Sequence, residues 1–138
     1  MKAPDSSTLI AAFANWHENH EEAKNAIRGA RVIGHTMFEF VSVLSRIPEP
    51  HRVDAKLLTD WLKQAFVQPP LVLTAKQTQG AAETLVSSGV TGGAIYDGLI
   101  ALTAKTHGAA LLSLDQRASA TYQRLEVEVI DPRRPKRS

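Results

Sequence analysis

The chain of 138 residues contains no cysteine. Without a thiol it cannot build a disulfide scaffold, hold zinc through thiolates or use a cysteine nucleophile. It has no apolar run that approaches the ~20 residues needed to cross a membrane. Its first residues, Met1 to Asp5, lack the apolar stretch of a signal peptide. We therefore expect a protein of the reducing cytoplasm with no membrane contact.

An excess of positive charge is also missing from most of the chain. The formal net charge is +2, but four of the 16 Lys and Arg residues lie in the last six positions. The rest is therefore slightly acidic, whereas a body that binds nucleic acid is more often basic. We expect one domain over residues 1–131 and a basic, flexible tail over residues 132–138.

Short apolar segments alternate with helical patterns along the chain. Five segments have strand character: Lys2 to Pro4, Arg31 to Gly34, Leu71 to Leu73, Ala109 to Leu112 and Val127 to Ile130. Between them, apolar residues recur at helical spacing and the patterns end near glycine or proline. This alternation predicts an α/β fold, with a central parallel sheet of four to five short strands flanked by helices on both faces.

Four carboxylates stand where a strand gives way to a helix: Asp5, Glu39, Asp97 and Asp115. In a parallel sheet such junctions gather at one edge, the edge at which α/β proteins bind ligands. Carboxylate oxygens are the ligands that Mg²⁺ and Mn²⁺ prefer. Two such ions can activate a water and stabilise the leaving oxygen in phosphodiester cleavage. The pattern therefore indicates a metal-dependent site that cuts phosphodiester bonds.

Each carboxylate also has a purely structural explanation. Asp5 and Asp115 could cap the helices that follow them. Glu39 comes three residues after Thr36, which is the spacing of a capping box at a helix that opens at Thr36. Asp97 lies in the first turn of its helix, where the helix dipole favours an anion. The residues alone leave both explanations open for each side chain.

Other chemistries lack their sequence signatures. A phosphohydrolase with an aspartyl nucleophile would carry a second aspartate two residues after Asp5, where this chain has Ser7. Neither a phosphate-binding loop nor a dinucleotide-binding fingerprint occurs. His17 and His20 lie three residues apart in a polar segment, which favours solvated side chains over zinc ligands.

Each of the four carboxylates lies in a short motif. The motifs read Asp5-Ser6-Ser7-Thr8-Leu9-Ile10, Thr36-Met37-Phe38-Glu39-Phe40-Val41, Tyr96-Asp97-Gly98-Leu99-Ile100-Ala101 and Leu111-Leu112-Ser113-Leu114-Asp115-Gln116-Arg117. In this order and spacing they resemble the PIN-domain family, and within it the VapC-type toxins of bacterial toxin–antitoxin pairs. The resemblance runs from Asp5 to about Ile130. One departure is Gly98, because alanine is usual in the family after the third acid.

The resemblance implies a metal-dependent endoribonuclease that acts on RNA with Mg²⁺ or Mn²⁺. It implies a catalytic and metal-binding set of four acids: Asp5, Glu39, Asp97 and Asp115. It implies three supporting hydroxyls: Ser6, Ser7 and Ser113. The partners would be a VapB-type antitoxin, which would place an Arg fork in the acidic groove, and a second copy of the chain in a homodimer.

The alternative function is a non-catalytic PIN-fold module for protein interaction. Its surface would come from apolar helix residues such as Phe38 and Trp61, although core packing is the favoured explanation for such residues. If the chain does bind RNA, six basic side chains outside the tail are candidates for phosphate contacts: Arg28, Arg31, Arg46, Arg52, Lys105 and Arg117.

Overall fold

The computed structural model describes residues 1–134, and a small parallel sheet lies at its centre. The strands are β1 (Lys2–Pro4), β2 (Ala110–Leu112) and β3 (Val129–Ile130), in the order β1-β2-β3. Pro4 pairs with Leu112, and Leu112 pairs with Ile130. Because all three strands are parallel, their carboxyl ends meet at one edge of the sheet.

The described residues also form seven helices. They are α1 (Ser6–Phe13), α2 (His20–Ala26), α3 (Gly34–Arg46), α4 (Ala55–Ala65), α5 (Ala75–Ser87), α6 (Ala94–Thr106) and α7 (Ser119–Arg124). A capping box between Thr74 and Gln77 opens α5, which satisfies backbone N–H groups that a helix start leaves free. None of these helices is long and apolar enough to cross a membrane.

The sheet has fewer strands than the sequence predicts, although the parallel α/β architecture is confirmed. Two predicted strands are reduced to one parallel bridge between Ile33 and Leu71. Extension beyond Ile33 is blocked because α3 begins at Gly34. On the other side, Pro69 and Pro70 precede Leu71 and have no N–H to donate to a ladder.

The start of α3 also differs from the prediction, which placed it at Thr36. The helix begins at Gly34, whose N–H donates a 2.8 Å hydrogen bond to the carbonyl of Leu71. A Cβ at position 34 would lie 2.8 Å from Cγ1 of Val72, so glycine lets the helix start directly against the bridge. Thr36 is therefore a fully buried residue of the helix and not its cap.

The sheet divides the apolar core into two clusters. One cluster packs α5, α6 and α7 on the sheet and includes Leu85 and Leu111. The other packs α1 to α4 and includes Phe40 and Leu112. Leu111 and Leu112 are neighbours in β2 but belong to different clusters, because successive side chains of a strand point to opposite faces.

The two apolar residues that could serve an interaction surface have different surroundings. Trp61 packs against the second cluster, with its ring centroid 5.3 Å from that of Phe13 and 5.4 Å from that of Phe40. Core packing therefore accounts for Trp61. Phe38 is 76% exposed, so packing does not account for it.

The predicted tail over residues 132–138 falls only partly within the described residues, and positions 135–138 lie outside them. At its start, Arg133 Nη2 lies 2.8 Å from Oδ2 of Asp131. The hydrogen bond from Arg133 lowers the pKa of the Asp131 carboxyl. This pairing holds the first tail residues against the end of the domain.

Candidate active site

The carboxyl edge of the sheet carries a groove of about 450 Å³ that is lined by three of the four predicted acids. These are Glu39 from α3, Asp97 from α6 and Asp115 from the segment between β2 and α7. The fourth, Asp5, follows β1 and is only 2% exposed. Its charge still acts on the groove, because it is one of the charges that raise the pKa of Asp97.

Asp5 has both carboxylate oxygens engaged. Oδ1 accepts hydrogen bonds from Ser7 Oγ at 2.6 Å and from the Thr8 N–H at 3.2 Å, so Asp5 does cap α1. Oδ2 accepts a 2.8 Å hydrogen bond from the hydroxyl of Tyr122. Burial raises the pKa of the Asp5 carboxyl, and hydrogen bonds, led by that of Ser113, act in the opposite direction. The cap and the acidic site are therefore formed by the same side chain.

Glu39 makes a long-range contact in place of the predicted capping box. Its Oε1 accepts a 2.5 Å hydrogen bond from Ser6 Oγ, and its Oε2 lies 3.7 Å from Nε2 of His35. A capping box with Thr36 is impossible because Thr36 lies inside the helix. The contact with Ser6 instead ties α3 to the start of α1 at the acidic groove.

The charges of the other three acids act on Asp97, which lies in the first turn of α6. Burial raises the pKa of its carboxyl, and the charges of Asp115, Glu39 and Asp5 raise it further, while Arg117 lowers it. No hydrogen bond holds this carboxylate within residues 1–134. Asp97 is therefore a half-buried acid whose oxygens are free for a ligand in the groove.

Asp115 holds the turn that leads into α7 but does not cap that helix as predicted, because the N-cap of α7 is Ala118. Oδ1 accepts hydrogen bonds from the N–H groups of Arg117 at 2.9 Å and Ala118 at 3.3 Å. Oδ2 lies 3.5 Å from Nη2 of Arg117. Because Arg117 is exposed, this pair contributes little stability. The carboxylate still lines the groove together with Asp97.

The three predicted supporting hydroxyls hold the acids or the loops that carry them. Ser6 donates to Glu39, and Ser7 donates to Asp5. Ser7 Oγ also accepts a 2.9 Å hydrogen bond from the N–H of Leu114. Ser113 Oγ accepts a 3.1 Å hydrogen bond from the N–H of Asp115. These bonds connect the segments after β1 and β2, so they fix where the acids stand.

The donor set of the groove fits a hard divalent cation. Within residues 1–134, no three acidic or histidine side chains converge closely enough to enclose a metal ion. Magnesium does not need such a cage, since it keeps several waters and is usually held by one or two carboxylates. The raised pKa of Asp97 shows that burial and neighbouring negative charges disfavour its ionised form. A cation would relieve that cost, so these residues fit a water-rich site better than a closed one.

Sequence reasoning missed two aromatic contributions to the site. Tyr122 donates to Asp5 from 117 positions away, and no local pattern could have paired them. His35 and Tyr96 form a parallel ring pair in the groove. The available signal was position: Tyr96 directly precedes Asp97, and His35 lies one helical turn before Glu39.

Comparisons with known proteins agree with this geometry. The family model described as PIN domain matches residues 2–123. Ribonuclease VapC40 of Mycobacterium tuberculosis is 46% identical over 130 residues, which cover 94% of this chain and 97% of that protein. Ribonuclease VapC27 of Mycobacterium tuberculosis is 36% identical over 135 residues, which cover 94% of this chain and 98% of that protein.

Proposed function

The chain belongs to the PIN-domain family, in its VapC group, and from this premise we propose that it is a metal-dependent endoribonuclease toxin. The observation that carries the proposal is the groove in which Glu39, Asp97 and Asp115 meet, with Asp5 buried beside them. Two relatives named as ribonucleases, matched over nearly their full lengths, support RNA as the substrate.

In this proposal each acid has a separate task. Asp97 and Asp5 are the chief ligands of Mg²⁺ or Mn²⁺, because Asp97 is unbonded and Asp5 is rigidly placed. A divalent cation would supply a water of lowered pKa and neutralise charge in the transition state. Glu39, aligned by Ser6, orients the attacking water. Asp115 adds negative charge that holds the cation in the groove.

The proposal includes two protein partners and a compartment. A VapB-type antitoxin would insert an Arg into the acidic groove, where a guanidinium fork pairs well with carboxylates. A second copy of the chain would form a homodimer, and exposed apolar side chains such as Leu57 and Val86 are available for it. The absence of cysteine favours the cytoplasm. Co-expression with the antitoxin and light scattering of the purified chain test both partners.

The decisive experiment is cleavage of total cellular RNA by the purified full chain. The conditions are Mg²⁺, Mn²⁺ and excess chelator, and the variants are Asp97→Asn and the double variant Asp5→Ala/Asp97→Ala. The matched control is Glu83→Gln, which neutralises an exposed acid on α5. We expect discrete fragments only with metal and only from wild type and Glu83→Gln. Equal cleavage with and without chelator would contradict the mechanism.

The second candidate function is a non-catalytic interaction module on the same fold. The observation in its favour is Phe38, whose apolar ring is exposed at the groove. This function predicts that folded wild-type protein leaves all RNA intact in every metal condition. It also predicts that Asp97→Asn binds the antitoxin as tightly as wild type does.

A further inference from the structure

Two aromatic rings form a parallel pair inside the acidic groove. His35 lies in the first turn of α3 and Tyr96 in the first turn of α6. Their ring centroids are 5.4 Å apart and the planes differ by 2°. His35 lies one helical turn before Glu39, and Tyr96 directly precedes Asp97. The ring pair therefore has a fixed position relative to the acids.

Tyr96 remains accessible although its ring is paired with that of His35. Tyr96 is 54% exposed. Phe38 lines the same groove and is 76% exposed. Large aromatic side chains left uncovered beside a reactive groove indicate a surface that a flat ligand can cover.

We propose that Tyr96, whose ring is paired in parallel with that of His35, is a stacking platform for one unpaired base of the RNA. The inference rests on the proposed function, because it takes RNA as the ligand of the groove. Base faces stack on aromatic side chains only where the base is unstacked, so the platform selects a single-stranded segment. It would hold the nucleotide next to the phosphodiester that lies at the acids.

The charges around the platform fit the same ligand. The acids alone would repel an RNA backbone, but two exposed arginines, Arg46 and Arg117, line the groove with them. Arginine side chains bind phosphates on either side of a cleavage site without reading the base. The groove thus offers an aromatic face for a base and cationic groups for its flanking phosphates.

The test measures binding of two fluorescent single strands to the full chain in Mg²⁺. One probe is oligoadenylate, and the other is an oligomer of equal length whose central nucleotides are abasic. All variants carry Asp97→Asn, which blocks the proposed cleavage with a side chain of the same size, so that every comparison is made in one background. Tyr96→Leu should weaken oligoadenylate binding about tenfold and leave the abasic probe unaffected. Tyr96→Phe keeps the ring and should restore the affinity.

Two further variants separate stacking from other effects. Trp16 is 47% exposed and stacked on His51 at 4.2 Å, but it is not among the described residues that line the groove. Trp16→Leu should therefore change neither probe. Arg46→Ala should weaken both probes equally and flatten the salt dependence, as loss of a phosphate contact does.

Three results would overturn the platform: no loss with Tyr96→Leu, an equal loss for both probes, or binding of neither probe. Each failure is distinguishable from failure of the nuclease proposal. If wild type cleaves RNA but Tyr96→Leu shows no base-dependent loss, only the platform falls. If no RNA is cleaved but the base-dependent loss persists, the platform stands and the nuclease proposal falls.

Discussion

The hydroxyl of Tyr122 donates a 2.8 Å hydrogen bond to Oδ2 of Asp5, a residue 117 positions earlier in the chain. Both groups are almost completely buried. The negative charge of Asp5 and this bond contribute, after burial, to a raised pKa of the Tyr122 phenol. The phenol therefore stays neutral and keeps its proton on the side of the carboxylate. The bond fixes the orientation of the acid that closes the back of the groove.

Removal of that hydroxyl should destabilise the fold. Tyr122→Phe leaves a buried carboxylate oxygen without its donor, which costs about 1–3 kcal/mol of the free energy of unfolding. Urea denaturation at neutral pH in chelator measures the change. Tyr96→Phe is the matched control, because it removes a phenol hydroxyl from an exposed ring, and it should change stability by less than about 0.5 kcal/mol. Equal effects of the two variants would contradict the structural role of the bond.

Asp97→Asn should move stability and activity in opposite directions. The raised pKa of Asp97 means that ionisation is less favourable in the folded than in the unfolded chain. A neutral amide removes that cost, so the metal-free variant should be more stable than wild type at neutral pH. RNA cleavage should fall by more than about 100-fold. Loss of a residue that only hydrogen-bonds to a metal ligand already causes a decrease of up to that size, and Asp97 is a proposed ligand itself.

Urea denaturation in chelator and the cleavage assay, run on the same preparation, give both quantities. Glu83→Gln, an exposed neutralisation on α5, should alter neither. A metal-free Asp97→Asn protein that is less stable than wild type would contradict the electrostatic argument.

The stabilisation by Mg²⁺ should grow as the pH rises from acidic to neutral. Because the pKa values of Asp5 and Asp97 are raised in the folded state, the contribution of these two acids to the stability of the metal-free fold falls as pH rises from the unfolded pKa of 3.8 through the folded values. Mg²⁺ binds the ionised acids, so its effect increases over the same window. The measurement is the melting temperature with Mg²⁺ and with chelator across that range.

Asp131 provides the internal check for this pH series. Its pKa is lowered by the hydrogen bond from Arg133, so it contributes stability above the unfolded pKa that is lost as pH falls. That contribution is independent of Mg²⁺. Asp131→Asn should therefore leave the difference between the Mg²⁺ and chelator curves unchanged, whereas Asp97→Asn should reduce it.

Two glycines inside helices should respond differently to alanine. No heavy atom lies within 4 Å of a Cβ built at Gly80, so Gly80→Ala should stabilise α5 by about 1 kcal/mol through helix propensity. A Cβ at Gly98 would collide with Cδ2 of the buried Leu85. Overpacking of this kind costs about 1–3 kcal/mol, so Gly98→Ala should be destabilising.

A second variant removes the collision. Leu85→Val deletes both Cδ atoms, and in that background Gly98→Ala should become stabilising. Chemical denaturation of the four combinations measures the sign change. If Gly98→Ala destabilises the protein by the same amount in both backgrounds, the collision with Leu85 does not explain why glycine stands at position 98.

The sequence was informative wherever a boundary residue decided the structure. The helix from Ala94 to Thr106 lies between Gly92 and Gly108, both at positive φ, which agrees with the expectation that helical patterns end near glycine. The predicted start of α3 was wrong because the observed start depends on the hydrogen bond from Gly34 to Leu71, which lies far along the chain. A pattern read along the chain cannot contain such a contact.

The same distinction holds at the site. Parallel connectivity was enough to predict that the four acids would be neighbours, and three of them line one groove. Their catalytic roles stay predictions. The cap and site explanations proved compatible for Asp5, which caps α1 and lies beside the groove, whereas Asp115 holds only the turn before α7. The Ser6 partner of Glu39 and the Tyr122 partner of Asp5 arise only when α1, α3 and α7 pack.

The acids at the sheet edge come from both of the clusters into which the apolar core is divided. Asp5 and Glu39 are carried by α1 and α3, which pack on one face of the sheet, and Asp97 and Asp115 are carried by α6 and the segment before α7, which pack on the other. A cation bound between Asp5 and Asp97 would add a connection between these two halves, beside the three-stranded sheet and the hydrogen bond from Tyr122 to Asp5. Binding of the cation should therefore slow amide hydrogen exchange in both halves together. The metal-free protein should first open locally between the two halves.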